Sequence, residues 1–124
     1  MRVSYAIVFV SDMKRSTAFY AEVLGLPLKF ESPEWTEFAT EGATTLALHT
    51  SKDSASADDN QQHLPAGRCH PGFAVPNLDE FHKRMVENNV RCIQEPKDVF
   101  GAQVAQYVDP DGLTISVGEE RRGG

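Results

Sequence analysis

The sequence predicts an α+β domain built from two βαβββ modules in tandem, and three observations carry that prediction. The first is an internal repeat. Placing Tyr5 over His70, an offset of 65 residues, brings "YAIVFVSDM" onto "HPGFAVPNL", with Val10 on Val75, Asp12 on Asn77 and Met13 on Leu78. An offset of 69 residues then brings "TTLAL" onto "LTISV", so the second copy carries a four-residue insertion. The second observation is that each copy opens on a strand pattern and passes into a helical one. The third is a turn signal before the last strand of each copy, "TEGA" at 40–43 and "DPDG" at 109–112.

In the first copy, residues 3–10 are β-branched and aromatic, which favours a strand. Asp12 is placed to cap a helix over 13–24, where Met13, Ser16, Tyr20 and Val23 recur at helical spacing. The "GLP" at 25–27 ends it, because glycine accepts the left-handed cap and proline cannot continue a helix. Strands follow near 28–32, 35–40 and 44–50. In the second copy Asn77 and Glu80 have capping-box spacing, and Leu78, Phe81 and Met85 form the apolar stripe of the helix behind them. Its strands fall near 91–94, 101–108 and 113–118. The organisation is therefore a first module at 1–50, a linker at 51–67, a second module at 68–118 and a tail at 119–124. The linker, "SKDSASADDNQQHLPAG", is polar and poor in aromatics.

At 124 residues the chain is one domain's worth, long enough for a core without disulfides. The net charge of −6 argues against nucleic acid or an anionic membrane surface as a partner. No apolar run is long enough to span a bilayer, and the N-terminus lacks the apolar core of a signal peptide. Two cysteines, Cys69 and Cys92, suit a reducing cytosol better than a disulfide framework, so the expected location is cytoplasmic. The "ADDN" at 57–60 lacks the glycine and terminal glutamate of a calcium loop and reads as a solvated turn.

Three motifs, "VSDMKRSTAFYAEVLGL" at 10–26, "HPGFAVPNLDEF" at 70–81 and "YVDPDGLTISV" at 107–117, resemble the vicinal oxygen chelate superfamily. That group holds glyoxalase I, extradiol dioxygenases, fosfomycin-resistance enzymes and bleomycin-resistance proteins. The resemblance implies modules whose sheets curl around a shared cavity. It also implies that modules pair within one chain or, more often for chains this short, across a homodimer. Metal-using members take one ligand from each of four equivalent strand positions and leave coordination sites open for substrate, so that the cation stabilises a developing enolate or alkoxide.

Carried over one at a time, those positions fall on Tyr5, Ala47, His70 and Ser116. Of these only His70 is a good ligand at neutral pH, so the family's metal centre is not expected here. A divalent metal would need a non-standard set, His70 with His49 and Glu37, His49 sharing the face of Ala47 by strand alternation. His63 lies in the linker and could cover the cavity mouth; His82 reads as a surface residue of the second helix. Adjacent strand residues point to opposite faces, so Cys69 is expected packed under a helix and away from His70, and Cys92 reads as strand core.

Without a metal, the implied cavity presents Tyr5, Ala47, His70 and Ser116 at its centre, with Ile7 and Phe9 beside Tyr5 and with Trp35 and Phe38 on a wall. Such a pocket suits a planar or partly apolar organic ligand. Trp35 reads equally well as a stacking surface or as plain packing. Two functional classes follow. One is binding or sequestration of a small molecule. The other is a glyoxalase-related lyase or isomerase, or a dioxygenase-like enzyme, with a shifted metal or with His70 as general base and Tyr5 donating to an oxyanion. A third reading leaves the cavity vestigial and the module an interaction surface.

Overall fold

Each copy of the repeat forms a four-stranded sheet with a helix on one side. The computed structural model describes residues 1–51, 66–99 and 101–120. The backbone separates into two units, Met1–Ala57 and Asp58–Gly124. His63 and the "ADDN" stretch lie outside the described residues.

In the first unit β1 (Tyr5–Val10) leads into α1 (Met13–Ala18), and β2 (Leu28–Glu31), β3 (Trp35–Phe38) and β4 (Thr45–Thr50) follow. The Asp12 carboxylate accepts a hydrogen bond from the Arg15 amide at 3.1 Å, which satisfies one of the free donors at the helix start. The helix expected over 13–24 is α-helical only to Ala18 and continues as a π-helical turn, Phe19–Val23. Gly25, at φ +86°, then reverses the chain as the "GLP" signal requires. The strand order is β1-β4-β3-β2, with β1 parallel to β4 and the other pairs antiparallel.

The second unit repeats this with β5 (Gly72–Val75), α2 (Leu78–Glu87), β6 (Cys92–Val99), β7 (Ala102–Val108) and β8 (Thr114–Glu119), in the order β5-β8-β7-β6. Asn77 caps α2 through the Glu80 amide at 3.1 Å. At the "DPDG" turn the buried Asp109 carboxylate accepts from the amides of Asp111 and Leu113, both at 2.9 Å, and Gly112 takes φ +86°. Strand β6 runs five residues beyond its expected end and carries Pro96; it is an edge strand with register shifts, where a missing N–H is tolerated.

The repeat holds at the level of single ladder pairs. Ile7 pairs with Ala47 as Gly72 pairs with Ser116, and Glu37 pairs with Ala47 as Gln106 pairs with Ser116. The core lies on the helix side of each sheet: Val8, Val10, Leu46, Leu48 and Phe38 with Met13 and Tyr20 in one unit, Ala105, Tyr107, Ile115 and Val117 with Leu78 and Met85 in the other, all buried. Burying each large side chain of this kind contributes about 1.5–3 kcal/mol.

Candidate functional site

Alternation leaves the opposite face of each sheet free to carry function. In the first unit that face is aromatic. Tyr5, Ile7 and Phe9 on β1 are 48%, 47% and 64% exposed, a row of large side chains left open along one strand. Across the ladder the Tyr5 and Trp35 rings lie 6.2 Å apart, Trp35 meets His49 edge-on at 5.9 Å, and His49 meets Phe9 at 5.6 Å. The rings therefore run across β3, β4 and β1, with the small Ala47, fully buried, between Ile7 and Glu37. Glu37 orients the indole: its carboxylate accepts from Trp35 Nε1 at 2.8 Å and lies 3.8 Å from Lys29 Nζ.

The corresponding face of the second unit is small and polar. His70 Nε2 lies 2.9 Å from Ser116 Oγ, and Gln106 Nε2 donates to the same oxygen at 3.2 Å. The Ser116 amide donates to the carbonyl of Pro71 at 3.0 Å, so the segment carrying His70 is tied to β8 by its backbone as well. Gly72 and Ala74, the β5 residues on this face, are exposed.

Tyr5, Trp35, Ala47 and His49 thus share one face in the first unit, and His70 and Ser116 meet in the second. Phe38 belongs elsewhere. Expected on a ligand-facing wall, it is fully buried on the helix side against Tyr20, 6.1 Å between ring centroids, because it stands three residues from Trp35 and a strand alternates with a period of two. Cys69, expected under a helix, is exposed: β5 starts only at Gly72, so the alternation invoked for it does not reach that far back. His82 is half-buried rather than a surface residue, with Nδ1 2.8 Å from the hydroxyl of the fully buried Tyr107. Burial, followed by the nearby Cys92 thiol, pushes the Tyr107 phenol well above its ordinary range. Burial also raises the Cys92 thiol.

Gln106 was not among the residues singled out from the sequence. The 69-residue offset places it over Glu37, which was the available signal. For the non-standard metal set, Glu37 and His49 do share a face, but the Glu37 carboxylate is engaged by Trp35 and Lys29, and His49 Nδ1 is 2.6 Å from the Thr50 carbonyl. Among the described residues, no three His, Cys, Asp or Glu side chains come together as a group able to hold a metal ion. No helix of the described residues is long and apolar enough to cross a membrane.

The chain is 27% identical over 125 residues to the uncharacterized protein YraH of Bacillus subtilis, covering 94% of this chain and 97% of that one. It is 25% identical over 113 residues to the metallothiol transferase FosB of Staphylococcus saprophyticus, covering 89% and 71%. Among solved structures it superposes with a TM-score of 0.74 and 25% identity on TnmS3, an antibiotic binding protein from a Streptomyces species, over 96% of this chain and 95% of the other. The family model described as Glyoxalase/Bleomycin resistance protein/Dioxygenase superfamily matches residues 2–117. With its two βαβββ units and a match across nearly its whole length, the chain belongs to the glyoxalase/bleomycin resistance protein/dioxygenase superfamily.

Proposed function

We propose that the protein binds or sequesters a planar, partly apolar organic molecule, without the family's metal centre and without chemistry on that ligand. The observation that carries this reading is the exposed aromatic face of the first sheet. Tyr5, Trp35, His49 and Phe9 offer ring surfaces and edges at van der Waals spacing, a geometry that stacks a flat ligand. The antibiotic-binding neighbour supports the same reading. In this reading the working form is a cytoplasmic homodimer, the pairing that short chains of the family favour, and light scattering of the purified protein checks it.

The test is a titration of the protein with a panel of planar aromatic compounds, followed by Trp35 fluorescence. Trp35 is the sole tryptophan, so any change in its emission reports on this face. Saturable quenching or enhancement is the expected result. An unchanged signal with a ligand bound at saturation by calorimetry would remove the aromatic face from the site.

The alternative is a glyoxalase-related or dioxygenase-like enzyme with His70 as base or with a shifted metal site. It draws on the metallothiol transferase relative. One metal held tightly per chain, measured by elemental analysis of protein purified without chelators and lost in His70→Ala, would favour it over binding alone.

A further inference from the structure

We propose that Ser116 is a nucleophile that accepts the acyl group of activated carboxylic esters, with His70 as its base. The inference is independent of the ligand-binding reading, since it rests on the second unit alone. A serine hydroxyl is a weak nucleophile unless a base stands within about 2.6–3.2 Å to take its proton. His70 Nε2 stands at 2.9 Å from Ser116 Oγ. The Gln106 amide, donating to that oxygen at 3.2 Å, occupies one of its lone pairs and leaves the hydroxyl proton free to face the imidazole.

The oxygen is also approachable. Ser116 and His70 are both half-buried, and the residue paired with Ser116 on β5 is Gly72. A Cβ added to Gly72 would find only the Ser116 carbonyl oxygen, at 4.0 Å, so β5 sets no side chain beside Ser116 at this position. Among the described residues His70 Nδ1 has no hydrogen-bond partner, so the imidazole is held by the Ser116 contact and by the backbone bond at Pro71.

Ser116 Oγ attacks the ester carbonyl carbon, forming the new C–O bond while its proton passes to His70 Nε2. The negative charge on the former carbonyl oxygen is met by the second N–H of Gln106. The intermediate collapses with cleavage of the bond to the leaving alkoxide or phenoxide, which receives the proton from His70. Water, deprotonated by the same imidazole, hydrolyses the acyl-serine more slowly than an activated ester forms it, because the serine alkoxide is a much poorer leaving group than a phenoxide, so the acylated protein accumulates. With one oxyanion donor where efficient acyl-transfer sites use two, the rate falls by about 10²–10³-fold, so activated esters are the substrate class and acylation of the protein is the practical readout.

The experiment treats the full chain with p-nitrophenyl acetate and follows the Ser116 peptide by mass spectrometry, using acetylated lysine peptides in the same digest as reference. Acetylation of Ser116 is expected, absent in Ser116→Ala and slowed about 100-fold or more in His70→Gln. His70→Gln keeps a polar side chain beside Ser116 but cannot take the proton. Thermal melts show whether either variant folds, and if Ser116→Ala does not, Ser116→Thr replaces it and should be acetylated more slowly than wild type. An unmodified Ser116 peptide beside acetylated lysines overturns the proposal, as does labelling undiminished in His70→Gln.

Discussion

The two sheets share a backbone and differ in what they present. Position by position across the repeat, Ile7 stands over Gly72, Phe9 over Ala74, Trp35 over Val104 and His49 over Gly118. The ladders agree, since Ile7–Ala47–Glu37 in one sheet is matched by Gly72–Ser116–Gln106 in the other. The helix sides of the two sheets stay alike: Tyr20 stands over Met85 and Phe38 over Tyr107, and all four side chains are fully buried. A duplicated fold therefore keeps its cores common and lets its open faces diverge. One face has become a ring-lined surface and the other a small platform around a hydroxyl held between an imidazole and an amide.

The cores are the place to break both units hardest. Tyr20→Ala and Tyr107→Ala each remove a large side chain with no exposure and should cost about 3–5 kcal/mol, read as a shift of the denaturant midpoint. Comparable losses at the two sites mean that both cores are packed to a similar degree. A loss below about 1 kcal/mol at either would show that its neighbours collapse into the space.

The open faces should respond in the opposite way. Trp35→Ala is expected to weaken binding of a planar ligand by about 2 kcal/mol, roughly 30-fold, with little change in stability, whereas Val104→Ala at the equivalent position of the second sheet should change affinity less than about 3-fold. Calorimetric titration of both variants separates them. Equal effects would mean that the difference between the faces has no bearing on the ligand.

The fold was legible because its signals are local and written twice. Asp12 and Asn77 cap as their spacing requires, and the 65- and 69-residue offsets hold to individual ladder pairs. What failed failed where a local rule met context. Phe38 read as a companion of Trp35 on one strand of the cavity wall, and only counting residues along β3 puts it on the core side. His82 read as a surface residue of the second helix, yet the hydroxyl it reaches belongs to a strand residue 25 positions away. The aromatic face was half legible: alternation grouped Tyr5 with Ile7 and Phe9, but the closeness of Trp35 and His49 depends on β3 and β1 flanking β4, a topology that no single segment encodes.

The half-buried Tyr107–His82 contact gives a smaller effect with a pH signature. Tyr107→Phe removes the hydroxyl and leaves His82 Nδ1 without its partner, at a cost of about 0.5–1.5 kcal/mol near neutral pH. The fold raises the Tyr107 phenol above its ordinary value of 10.0, so the folded state holds a proton that the unfolded chain releases. Its contribution to stability is present in full below about pH 10 and is lost as pH rises beyond that. The variant lacks this loss, and the two unfolding curves should converge in alkali. A gap that stays constant from neutral pH to alkali would mean that the phenol ionises alike in both states.

The smallest expected effect lies at the edge of the aromatic face. Lys29 is half exposed, its ammonium 3.8 Å from the Glu37 carboxylate and 3.3 Å from Thr45 Oγ1, a spacing at which solvent screens most of the attraction. Lys29→Ala should therefore move stability by less than about 0.5 kcal/mol. The Glu37 carboxylate keeps its stronger bond from Trp35 Nε1, at 2.8 Å, so the indole and its fluorescence should stay as they are in the unliganded protein. The prediction separates the two roles of Glu37, since Glu37→Gln leaves an acceptor for the indole and removes the charge. If Lys29→Ala shifts the Trp35 emission while Glu37→Gln does not, the lysine and not the carboxylate sets the position of the ring, and the ordering of that face has to be rebuilt from β2 rather than from β3.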